Sequence, residues 1–168
     1  MPAPANEMRP LLIFLCAVCA TAAGDEFQLM KSEALGALKV GIQRAAALKI
    51  LGSPSKSGKL EEWDADGMFH QQLEFKSAGV TINLASKSKG SAQTVASITA
   101  VAPCRLATAA GIRLGSTESE VIKAYRRHYN KEDSTPGSLV VAGSIYGGVT
   151  FEIKAGRVSQ IFIGASAE

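Results

Sequence analysis

Leu38-Lys39-Val40-Gly41, leading into Ala47-Leu48-Lys49-Ile50-Leu51, recurs as Ile112-Arg113-Leu114-Gly115 leading into Val121-Ile122-Lys123-Ala124-Tyr125. The two stretches stand 74 residues apart and keep the same internal spacing. A unit used twice predicts paired structural units with a shared surface between them. It names no reaction.

The repetition extends outward from these segments. Gly79 to Leu84 matches Gly148 to Ile153, keeping Gly-Val-Thr and the alternation of apolar and polar residues that marks a half-buried strand. Val95 to Ile98 matches Val158 to Ile161 as a second strand. A third precedes each pair, Met68 to Phe75 after an Asp66-Gly67 turn and Leu139 to Tyr146 before Gly147. The second copy announces its helix with Thr117-x-x-Glu120, a capping box in which hydroxyl and carboxylate satisfy free backbone N–H groups. Val121, Ile122 and Tyr125 then share one helical face, and the helix is expected to fade near His128. The first copy has Gln43 and Ala46 at the capping positions but keeps Ala47, Leu48 and Leu51, and Gly52-Ser53-Pro54 stops it. The expected fold is therefore α+β, in two tandem repeats over residues 23–103 and 104–168. Each is a short helical lead-in and a helix packed on about three antiparallel strands. Ala100 to Ala110, with Pro103 and Cys104, forms the joint.

The N-terminus reads as an export signal. Met8 and Arg9 precede an uncharged run from Leu11 to Ala23, too short for the roughly 20 apolar residues of a membrane span. Ala20-Thr21-Ala22 suits signal peptidase, which gives a signal peptide over residues 1–22 and a periplasmic or secreted destination. Cys16 and Cys19 lack the surroundings of a lipidated cysteine, so a lipid anchor is not expected. Cys104 would then be the single thiol left, unable to close an intramolecular disulfide. The formal net charge of +3, with no basic stripe interleaved with aromatics, argues against nucleic acid.

The run from Leu38 to Pro54, with Gly41, Leu51-Gly52-Ser53-Pro54 and the later Trp63, resembles the BamE (SmpA/OmlA) domain of outer-membrane lipoproteins. Duplication of such a unit is similar in layout to the β-lactamase inhibitory proteins. The resemblance implies a fold and an envelope setting, and carries no site residue across.

Chemistry is sparse. His70 and His128 show no metal-ligand spacing, and no metal or other cofactor is expected. Cys104 with His128 lacks any supporting nucleophile motif. Glu61, Glu62, Asp64 and Asp66 open like a calcium loop, but the twelfth position from Asp64 is Phe75, so a hairpin turn at Asp66-Gly67 is the simpler reading. Binding is the better prospect. Trp63, Phe69 and Tyr146 offer large contact areas, and Arg126 and Arg127 form a basic group at a helix end. These five residues are the candidate binding set. The expected function is a non-catalytic exported protein that binds an envelope or secreted protein, as scaffold or inhibitor. A small-ligand or lipid carrier is the alternative, and a hydrolase a more distant third.

Overall fold

Alternating rows of apolar residues dictate the architecture. Leu73, Ile82, Ile98, Ile163, Val149 and Ala142 stand side by side on adjacent strands, as do Phe75, Val80, Ala100, Ile161, Phe151 and Val140. All twelve are buried. A computed structural model describes residues 26–165 of the chain, so the signal peptide expected at 1–22, with Cys16 and Cys19, lies outside the described residues.

The strands are β1 (Lys56–Ser57), β2 (Glu61–Trp63), β3 (Met68–Phe75), β4 (Val80–Ser86), β5 (Thr94–Ala100), β6 (Tyr129–Thr135), β7 (Leu139–Ser144), β8 (Gly147–Lys154) and β9 (Arg157–Gly164). They form one nine-stranded antiparallel sheet in the order β1-β3-β4-β5-β9-β8-β7-β6, with β2 also pairing β3. Three short helices, α1 (Glu26–Ser32), α2 (Arg44–Leu51) and α3 (Glu118–Ala124), add Leu29, Ala47 and Val121 to the same core as the two apolar rows.

This corrects the expected α+β tandem fold. The molecule is mostly antiparallel sheet, and the helices do not each cover a sheet of their own. Helices of seven or eight residues are about 10–12 Å long, roughly two turns, and cannot bury three strands alone. The apolar rows are completed instead where β5 pairs β9 through Ile98↔Ile163, Thr99↔Phe162 and Ala100↔Ile161. The repetition leaves two arrangements open, two units packed together or one sheet extended across both, and it is the second that satisfies burial. The first copy has a short helical lead-in, α1, but the second has none, and residues 34–41 and 108–115 are turns and isolated bridges. The second-copy helix ends at Ala124 rather than His128, and β6, with its polar sequence Tyr-Asn-Lys-Glu-Asp-Ser-Thr, gave no apolar alternation to read.

The repetition survives as local geometry. Gly41 and Gly115 have φ of 88° and 86°, a region that favours glycine, and their N–H groups donate to the carbonyls of Val95 and Val158 at 2.7 and 2.8 Å. Val95 and Val158 donate back to the carbonyls of Ile42 and Ser116. Each copy thus ties the approach to its helix onto its last strand. Glu33, just after α1, crosses the copies. Its Oε1 accepts from the N–H of Ala34 and of Ala109, and its Oε2 accepts from the Tyr125 hydroxyl at 2.8 Å. Burial, chiefly, pushes the Tyr125 phenol well above its ordinary range.

Candidate binding site

On the face of the sheet opposite the core, the alternate positions of β3, β4 and β5 are polar and mostly part-exposed. Gln72, Asn83 and Ser97 form one row, and Glu74, Thr81, Thr99, Phe162 and Thr150 the next, which ends on the buried Val141. The edge strand is interrupted between β1 and β2, and residues 58–63 border this face. Gly58 is fixed from both sides: its N–H donates to the Gln72 carbonyl at 2.8 Å, and its carbonyl accepts from Gln71 Nε2 at 2.9 Å. Gln71 is braced in turn by Arg44 Nη1, which donates to the side-chain oxygens of Gln71 and Gln93. The result is a cavity of about 340 Å³. Gly58, Lys59, Glu61 and Trp63 wall it, and Gln72, Thr81, Asn83, Ser97 and Thr99 line its floor.

Trp63 owes its position to the β2–β3 turn. Gly67 N–H donates to the Trp63 carbonyl, and Trp63 pairs with Met68. Asp66 has two tasks there. Its Oδ1 accepts from the Met68 N–H at 2.9 Å and its Oδ2 meets His70 Nε2 at 2.9 Å. The Met68 N–H, first, and His70, second, hold the Asp66 carboxyl below its usual range. His70 is buried, and its ring lies flat against Trp63, with centroids 3.9 Å apart and planes 12° from parallel. Asn83 Nδ2 stands 3.1 Å from His70 Nδ1. With Nδ2 donating, the hydrogen-bond network assigns Nδ1 as acceptor and places the ring proton on Nε2, facing Asp66. The Trp63 indole, 36% exposed, is thus backed by an Asp66–His70–Asn83 chain. Asn83 Oδ1 is buried and has no hydrogen-bond partner among the described residues.

Of the five residues expected to bind, only Trp63 lines this cavity. Phe69, one residue from His70, points to the other face by the two-residue period of a strand, and Lys89 Nζ lies 5.7 Å from its ring centroid. Tyr146 sits 61% exposed in the β7–β8 turn, and Arg126 and Arg127 are exposed just beyond α3. The sheet order separates both groups from Trp63, which stands at the opposite edge. His70, Asp66 and Asn83 were not anticipated as a unit. A carboxylate and a histidine four apart around a glycine turn were the readable sign, but Asn83 is brought in only by strand register.

The same geometry bears on chemistry. Both His70 nitrogens have hydrogen-bond partners, Asp66 and Asn83. His70 pairs with Ala85 at one end of β4, while Cys104 follows β5 near Val80 at the other, five residues or about 17 Å along the strand. Among the described residues no group of three or more His, Cys, Asp or Glu side chains is placed to hold a metal ion. No described helix is long and apolar enough to cross a membrane. No family model, curated protein or solved structure matches the chain.

Proposed function

We propose that the chain is an exported, non-catalytic binding protein that meets a protein partner of the envelope or the secreted fraction across the open face of its sheet. The observation that carries this reading is the division of the sheet into two faces. The helices and both apolar rows lie on one, and the other presents polar, part-exposed positions across β3, β4 and β5 with an exposed tryptophan at its edge. Aromatic anchors beside polar, part-exposed residues are the usual composition of a protein-binding patch. The separation of His70 from Cys104 along β4 supports a non-catalytic role. The pattern at residues 8–23 supports export.

Site-specific photo-crosslinking tests it. A photoreactive residue at Thr99 or Thr150, on the open face, should give a discrete adduct in the producing cell, and one at Lys49, on α2, should not. Adducts from Lys49 alone would place the partner on the helix side and overturn the reading.

A second reading, a small-ligand carrier, is favoured by one specific feature. The cavity beside Trp63 falls within the about 300–1,000 Å³ range of ligand sites and combines an aromatic wall with convergent polar groups.

A further inference from the structure

Resting on the small-ligand reading, we propose that the Trp63 cavity is a site for an uncharged saccharide. Three observations converge on that chemistry. The wall is one exposed indole, held flat by His70, and a flat aromatic face suits the C–H face of a pyranose ring. The floor offers neutral donors and acceptors, the hydroxyls of Thr81, Ser97 and Thr99 and the amide of Gln72. Such groups can each both donate and accept, as sugar hydroxyls do. The formal charges of the lining cancel, with Lys59 against Glu61, so neither an anion nor a cation is selected.

The cavity excludes other classes by the same inventory. A phosphate or carboxylate ligand would call for an arginine or paired lysines, and Lys59 stands alone with Glu61 two residues away. A lipid chain would meet hydroxyls and amides across the floor and leave them unpaired. Asn83 is the exception on the floor, since its nitrogen is committed to His70 and its oxygen is buried. The Asp66–His70–Asn83 chain is accordingly a positioning device, setting the plane of the indole and the orientation of the amide together.

Trp63 is the single tryptophan of the chain, so its fluorescence reports on this cavity alone. The full chain is titrated with chitotriose, cellotriose, maltotriose and mannotriose, and with trigalacturonate as a charged comparison. The expected result is a saturable change with at least one neutral trisaccharide below about 10 mM, and weaker binding of trigalacturonate. By calorimetry, Trp63→Ala and the double variant Thr81→Val/Thr99→Val should each lose about tenfold or more in affinity. Circular dichroism of the double variant, which keeps side-chain shape, should match the parent. Native mass spectrometry of the chain from its producing cell separates the two layers of the argument. A bound mass that is not a saccharide, with no response to any trisaccharide, overturns the sugar assignment and leaves the carrier reading standing. No bound mass and no response overturns both. Protection of Trp63 by a polypeptide, with no sugar response, assigns the cavity to the protein partner instead.

Discussion

Glu33 shows how much one side chain holds. It is buried, it follows the first helix, and it accepts from the joint at Ala109 and from Tyr125 of the second copy. Glu33→Ala removes the acceptor of the buried Tyr125 hydroxyl and Ala34 N–H and should cost about 2–4 kcal/mol in urea unfolding, with Tyr125→Phe costing about 1–3 kcal/mol. A loss under about half a kcal/mol for Glu33→Ala would show that water or a neighbour replaces the carboxylate. Asp66 gives a pH-dependent counterpart. Its folded pKa lies below its ordinary value near 3.8, so its contribution is fully present above that value and is lost as pH falls through the lowered one. Trp63 emission should therefore hold steady from neutral pH to the ordinary carboxylate range and shift only below it. In Asp66→Asn the emission should differ already at neutral pH, and an acid step unchanged in that variant would contradict the link.

At the scale of elements, the two central helices are unequal. Thr117 has extended backbone angles, accepts from the Glu120 N–H, and receives the Glu120 carboxylate on its own N–H. Those Thr117 donors, backbone first and hydroxyl second, hold the Glu120 carboxyl below its usual range. Gln43 has equally extended angles and caps nothing with its side chain. Thr117→Ala should cost about 1 kcal/mol, whereas Gln43→Thr should stabilise by roughly 0.5–1 kcal/mol. Chemical denaturation of the two variants checks the contrast, and equal effects of one sign would refute it. This asymmetry was legible in the sequence because capping is local, and so was the strand Met68–Phe75, whose bounds the alternation and the preceding turn define. The short helices, the edge strand β6 and the seam were not. A polar edge strand has no hydrophobic period, and pairing between β5 and β9 depends on residues more than sixty positions apart. The site was legible to the same extent: Trp63 stood out by type, but Asp66, His70 and Asn83 become a unit only once β3 and β4 are in register.

At the scale of the molecule, a sequence written twice has become one sheet with two unlike faces. The core rows run unbroken from Leu73 to Ala142 and from Phe75 to Val140, crossing the β5–β9 seam at Ile98↔Ile163 and Ala100↔Ile161. On the other face one row runs from Glu74 through Thr81, Thr99 and Phe162 to Thr150, so it too crosses from one half to the other. The claim on which the rest depends is that both halves form a single cooperative body. Native-state hydrogen exchange at increasing denaturant tests it most directly. The amides of Ile82 and Ile98 in the first half, and of Val149 and Ile163 in the second, should converge on one free energy of opening with one denaturant dependence. Two separate isotherms, with the second half opening while the first stays protected, would contradict it.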